Sequence, residues 1–261
     1  MTQQTFVLMQ MDITFGKPKD NFQHLRYLFQ QADLQAGEIV VLPEMWNSAY
    51  DLSNAAIVAD LDGQQTLTLL TELAITYQVA IVGGSILRKS GDKYYNTSYL
   101  INEQGELIQQ YNKVHLFKLM AEDQYLTAGE SLVTAKLSTV SLGLGICYDL
   151  RFPEMFRKLA VAGAEVLVIP AQWPQARIQQ WRKLLQARGI ENQAFVIGVN
   201  RVGSDPDNQF NGQSLVINPL GEITAELSQQ EEVRKVTIDL AEVTQARQAI
   251  SVLMDRRPEL Y

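Results

Sequence analysis

The single cysteine of this 261-residue chain, Cys147, stands in the run Gly143-Leu144-Gly145-Ile146-Cys147-Tyr148-Asp149-Leu150-Arg151-Phe152-Pro153-Glu154. That run reads as a strand, a sharp turn, and a helix that takes Pro153 at its first position. A thiol at such an elbow lies near backbone N–H groups, which stabilise a thiolate or an oxyanion, and the amide of Tyr148 is the candidate donor. Two further residues stand at strand ends. Glu44 follows Ile39-Val40-Val41-Leu42-Pro43, where proline ends the ladder and leaves a carboxylate at the strand mouth. Lys113 leaves a strand in Tyr111-Asn112-Lys113-Val114-His115-Leu116-Phe117. A carboxylate, an ammonium and a thiol supply an acid/base, a donor for a developing oxyanion, and a nucleophile. Each also has a plain reading: a small buried hydrophobe for Cys147, solvated surface groups for Glu44 and Lys113, and close strand packing for Gly143 and Gly145.

Elements able to position these groups recur along the chain as short β-branched runs alternating with amphipathic stretches. Strands are expected at 5–10, 38–42, 80–87, 140–146, 165–169, 194–200 and 233–239. Helices are expected at 19–35, 64–77, 153–162 and 179–192. Hairpins are expected to join 94–101 to 107–111, across Asn102-Glu103-Gln104-Gly105, and 213–219 to 222–227. The alternation argues for an α/β layered fold, and the hairpins for mixed sheets. Ligands of such sheets gather at the carboxyl ends of strands, where all three residues stand. No linker or internal repeat divides the chain, so residues 1–261 are expected to form one domain. The tail 246–261, ending Asp255-Arg256-Arg257-Pro258-Glu259-Leu260-Tyr261, is expected either to wrap a neighbouring subunit or to hang loosely.

A net charge of -7 and a pI near 5.0 oppose binding to a phosphate backbone, so no nucleic-acid partner is expected. No apolar run is long enough to span a bilayer, and Met1-Thr2-Gln3-Gln4-Thr5-Phe6-Val7-Leu8 lacks a signal-peptide layout. A cytoplasmic protein without a membrane partner is expected. A lone cysteine, unable to form an internal disulfide, fits a reducing compartment.

Taken together, Leu42-Pro43-Glu44, Lys113-x-His115-Leu116-Phe117, Cys147-Tyr148-Asp149-x-Arg151-Phe152-Pro153, Arg188 to Gln193 and Asn218-Pro219-x-Gly221-Glu222 resemble the nitrilase or carbon-nitrogen hydrolase superfamily over nearly the whole chain. The resemblance implies a four-layer α-β-β-α sandwich with mixed sheets that pairs through its helical face into a homodimer. It also implies catalysis without metal or cofactor, with Glu44 as general base, Lys113 as oxyanion stabiliser, Cys147 as nucleophile, and Glu122 as an additional glutamate that positions a small amide substrate. Four segments look most like bacterial ω-amidases, which hydrolyse the terminal amide of 2-oxoglutaramate and are linked to methionine salvage: Trp46 to Leu52, Gln172-Trp173-Pro174, Arg188 to Gln193, and Gly203 to Asn208. Gly189 departs from that pattern, where a helix former such as alanine is expected.

A small dicarboxylate monoamide needs a cation for its distal carboxylate. Arg151 is the candidate, with Tyr50 and Trp173 shaping the pocket; an ion-pair role serves Arg151 equally well. Deaminated-glutathione amidase, N-carbamoyl amidohydrolase and aliphatic amidase activities use the same catalytic residue types. Two competing readings are a papain-like dyad of Cys147 with His115, and a catalytically silent interaction protein. His24, in the amphipathic stretch 19–35, reads as an exposed helix residue. Gln229-Gln230-Glu231-Glu232 reads as a solvated turn, and Trp181, Leu184 and Leu185, at helical spacing, as core.

Overall fold

The computed structural model describes residues 2–137 and 139–260. Within them two β-sheets stack face to face. The first runs Glu232–Asp239, Gln3–Gln10, Ile39–Val41, Ala80–Val82, Lys93–Ile101, Ile86–Ser90 and Asp60–Leu61, with Leu107–Asn112 also paired to Lys93–Ile101. The second runs Ile223–Glu226, Leu215–Ile217, Phe195–Asn200, Val166–Ala171, Val140–Leu144 and Thr134–Leu137. Both are mixed. Gln3–Gln10, Ile39–Val41 and Ala80–Val82 run parallel, as do Val140–Leu144, Val166–Ala171 and Phe195–Asn200, while hairpin strands add antiparallel pairs.

Side-chain alternation divides the core into layers. On the first strand Phe6 and Leu8 face the other sheet, packing in one cluster with Leu142, Leu144, Val166 and Val168. Val7 and Met9 point the other way, against Leu25, Leu28 and Phe29 of the helix Pro18–Gln31 and Leu69, Leu70 and Leu73 of the helix Gln64–Tyr77. On the outer face of the second sheet lie Met155, Phe156 and Leu159 of Pro153–Val161, and Trp181 and Leu185 of Ile178–Asn192. The result is the α-β-β-α sandwich.

Most expected elements appear within a few residues of their expected ends. The expected strand 80–87 is instead broken at Gly83-Gly84. Gly84 is left-handed (φ +58°), and a Cβ there would stand 2.0 Å from the Pro43 carbonyl oxygen, so glycine is what lets the two chains touch. The Gly83 carbonyl accepts the Trp46 indole N–H at 2.9 Å, and Ser85 binds both Met45 and Trp46 backbone N–H groups at 3.0 Å. The break therefore anchors the loop that carries Glu44. The helix Ala241–Ala249 runs into the expected tail, where Gln193 Nε2 donates to the Ala246 and Ile250 carbonyls at 2.9 and 2.8 Å. The start of that tail is thus tied to the body of its own chain.

One surface reading is corrected, that of His24, while Gln229, Gln230 and Glu231 lie exposed at a bend as expected. His24 is half-buried and pairs with Glu231 at 3.1 Å, and Glu231 also accepts the Asp12 backbone N–H at 2.8 Å. The 229–232 turn is thereby a clasp on the first helix. Gly189 has a packing reason: a Cβ would lie 3.0 Å from both the Asn218 carbonyl oxygen and Ile217 Cγ2, where helix closes on strand. Gly143 and Gly145 likewise lie against Leu159 and Phe156 of the helix Pro153–Val161, which is the close-packing reading.

Candidate active site

Four strand ends converge at the carboxyl edge of the two sheets. Glu44 follows Ile39–Val41, Lys113 follows Leu107–Asn112, Cys147 follows Val140–Leu144 and Gln172 follows Val166–Ala171. Glu122 opens the short helix Glu122–Tyr125, launched by the left-handed Ala121 (φ +56°).

Glu44, Lys113 and Glu122 are buried together, at 0%, 1% and 0% exposure. Lys113 Nζ donates to Glu44 Oε1 at 2.9 Å, to Glu122 Oε1 at 2.8 Å and to the Tyr50 hydroxyl at 3.3 Å. Its three protons are thus fully committed. Tyr50 Oη lies 2.6 Å from Glu44 Oε1 and 2.8 Å from Glu122 Oε1, and its one proton serves a single carboxylate at a time. Asn96 Nδ2 donates to Glu44 Oε1 at 2.8 Å, and the Phe117 backbone N–H to Glu122 Oε2 at 2.5 Å.

Gln172 joins this cluster to the second sheet. Its backbone N–H donates to Glu44 Oε2, and its side-chain amide to the Glu44 carbonyl, each at 2.8 Å. Its own carbonyl oxygen lies 3.9 Å from Cys147 Sγ, and its Oε1 accepts from the wholly buried Arg201 at 3.2 Å.

Two carboxyl groups share one ammonium in a site where water cannot screen them. Burial and then Glu44 push the Cys147 thiol well above its ordinary pKa, Lys113 only partly opposing them. The thiol therefore rests protonated. Burial also raises Glu122 against the pull of Lys113, whereas for Lys113 the attraction of Glu122 and Glu44 outweighs burial and raises it. Burial, Glu122 and Glu44 raise Tyr50.

Cys147 itself sits in the left-handed region (φ +45°), a conformation that costs a non-glycine residue on the order of 1–3 kcal/mol and clusters at functional sites. Asp149 pins the elbow. Its buried carboxylate accepts the Ile146 N–H at 2.9 Å, the Tyr111 hydroxyl at 2.6 Å, and the His115 backbone N–H and Nδ1 at 3.0 and 2.8 Å. The strand leading to Lys113 and the turn bearing Cys147 thus share one anchor. His115 is spent on Asp149 and stacks on Phe152 at 3.6 Å, and no hydrogen bond joins it to Cys147 among the described residues, which removes the geometry of a papain-like dyad.

Cys147 opens into a narrow cavity lined by Phe117, Tyr148, Arg151, Gln172, Trp173 and Arg177. Beyond it a wider cleft of about 410 Å3 runs between Tyr50, Phe117, Pro174, Arg177 and Asp207. Of the site residues expected from the sequence, Glu44, Lys113, Glu122 and Tyr50 meet in the buried cluster, and Cys147, Tyr148, Arg151 and Trp173 line this path. Tyr50 is placed differently than expected, with its hydroxyl on the two carboxylates as well as its ring along the cleft. Arg151 lies 4.9 Å over the Trp173 ring with Nη2 donating to Gln180 at 2.6 Å. Asn96 and Arg177 are not legible in the sequence, and Gln172 is legible only as part of the Gln172-Trp173-Pro174 segment, without a role at the site. Among the described residues no three His, Cys, Asp or Glu side chains group to hold a metal ion.

The carbon-nitrogen hydrolase family model matches residues 7–248. This chain belongs to the carbon-nitrogen hydrolase family. The hydrolase is 41% identical to a 2-oxoglutaramate amidase of Bacillus subtilis (strain 168), over 98% of this chain and 99% of that one. Its fold superimposes with a TM-score of 0.91 on a CN-hydrolase superfamily protein of Xanthomonas campestris that carries an arsenic adduct in its active site, at 29% identity and 98% coverage of both chains. It also superimposes, with a TM-score of 0.86, on a variant of the amidase from Nesterenkonia sp. AN1, at 26% identity over 98% of this chain and 95% of that one. That structure shows covalent addition of the acetamide moiety of fluoroacetamide at the active-site cysteine.

Proposed function

We propose that this hydrolase opens the terminal amide of 2-oxoglutaramate, giving 2-oxoglutarate and ammonia through a thioester on Cys147. The observation that carries the chemistry is the buried Glu44–Lys113–Glu122 cluster set against a protonated thiol at a cavity mouth. Full-length similarity to the Bacillus amidase supports the substrate, and the covalent adduct of the Nesterenkonia amidase supports the nucleophile.

Because the thiol is neutral at rest, attack and deprotonation go together. Glu44 takes the thiol proton as sulfur bonds to the amide carbon. The carbonyl oxygen gains negative charge and draws a Lys113 proton from its longest contact, Tyr50 at 3.3 Å, with the Tyr148 amide as second donor. Glu44 returns its proton to nitrogen, the C–N bond breaks, and ammonia leaves the acyl group on sulfur. Glu44 then deprotonates a water that attacks the thioester carbon; the C–S bond breaks, and sulfur recovers a proton. Asn96 and Gln172 hold Glu44 in place throughout, and Glu122 holds Lys113.

The same reading makes the enzyme a cytoplasmic homodimer paired through its helical face, with methionine salvage as its setting. Apolar side chains left open on the helices of the second sheet, Val161 at 46% and Ile190 at 55% exposure, support the pairing.

Ammonia release measured with 2-oxoglutaramate, deaminated glutathione, N-carbamoylputrescine and simple amides tests the substrate. The highest kcat/KM is expected for 2-oxoglutaramate, and a place near the bottom would refute it. Cys147→Ala should remove turnover while keeping the fold.

A further inference from the structure

The cations around Cys147 differ in availability. Lys113 is committed to three oxygen acceptors, and Arg151 donates to Gln180 while lying over the Trp173 ring. Arg177 is different. Among the described residues its guanidinium has no hydrogen-bond or ion-pair partner, and it lies over the Phe117 ring, 5.9 Å from centroid to guanidinium carbon. Its backbone is nevertheless fixed, with its N–H donating to the Pro174 carbonyl at 2.9 Å and its carbonyl accepting the Trp173 indole N–H at 2.9 Å. Arg177 lines both the narrow cavity of Cys147 and the wider cleft beyond. It thus stands at their junction, in the same narrow cavity as the sulfur.

We propose that Arg177, rather than Arg151, binds the far carboxylate of the substrate and makes this enzyme selective for short amides with an anionic end. An unpaired guanidinium on a fixed backbone can offer two parallel N–H groups to a carboxylate without first breaking an ion pair. Acidic residues mark the outer limit of the site. Asp205 and Asp207 line the wider cleft alongside Arg177, and although Asp205 is occupied by the Asp207 and Asn208 backbone N–H groups, both repel an acid that reaches past the arginine. This inference rests on the amidase reading above and assigns its specificity.

The test is the ratio of kcat/KM for 2-oxoglutaramate to that for pentanamide, a neutral amide of the same chain length, in the wild type and in Arg177→Gln, Arg177→Lys and Arg151→Gln. A ratio cancels any loss of folded enzyme. Arg177→Gln should lower it roughly 50-fold, the scale of a lost charge-assisted hydrogen bond, mainly through KM for the acid. Arg177→Lys should restore part of the ratio, and Arg151→Gln should change it less than threefold. A carboxylate preference that survives Arg177→Gln, or that falls in Arg151→Gln instead, overturns the assignment while leaving the amidase reading intact. A wild type without preference for 2-oxoglutarate's monoamide over pentanamide overturns both.

Discussion

Cys147 combines a strained backbone with a thiol that its surroundings keep protonated. Those two properties belong together: the left-handed elbow places sulfur on the cavity, and burial beside Glu44 keeps the proton on it at rest. Because burial and Glu44 raise the thiol pKa, the thiolate fraction of the free enzyme grows with pH well past the range of an ordinary cysteine. Alkylation of Cys147 by iodoacetamide, followed by mass spectrometry, should climb continuously through pH 9 with no plateau. A plateau at or below pH 7 would show a preformed thiolate and contradict the coupled transfer. Glu44 was legible because it closes an apolar run with a charged residue, and Lys113 because a charged residue there leaves a strand for a segment flanked by apolar residues. The role of Gln172 was not, since it acts through its backbone N–H and carbonyl, groups every residue has, and only the meeting of two sheets brings them to Glu44 and Cys147.

At the scale of elements, strand and helix periods were readable because each sheet has one face on the shared core and the other on helices. What periodicity missed were joints made by distant partners, such as the Gly84 break that seats the Glu44 loop and the His24–Glu231 clasp. The clasp has a pH signature. Hydrogen bonding to Glu231 raises His24 above 6.5 despite burial, so its stabilisation is fully present below pH 6.5 and is lost as pH rises through the folded value. Glu231 is lowered by His24 and the Asp12 N–H against its own burial, so its share appears above the ordinary carboxylate range. Between those limits the pair holds. The Tm difference between wild type and His24→Gln, followed by thermal melts, should be largest near pH 6 and shrink toward pH 9; a difference that grows with pH would refute the pair.

For the molecule as a whole, the layered fold puts helices on both outer faces and gathers the site at one edge. Pairing through the helices of the second sheet would leave that edge open to substrate. Light scattering should give twice the 29.4 kDa chain mass, and Val161→Glu with Ile190→Glu should shift it toward the single chain. A wild-type mass of one chain would remove the dimer. The most direct test of the chemistry is intact-protein mass spectrometry of enzyme acid-quenched during turnover of 2-oxoglutaramate. The predicted result is one acyl group per chain, mapped by peptide digestion to Cys147 and absent from Cys147→Ala. Steady ammonia release without any adduct, and with undiminished activity in Cys147→Ala, would contradict the thioester.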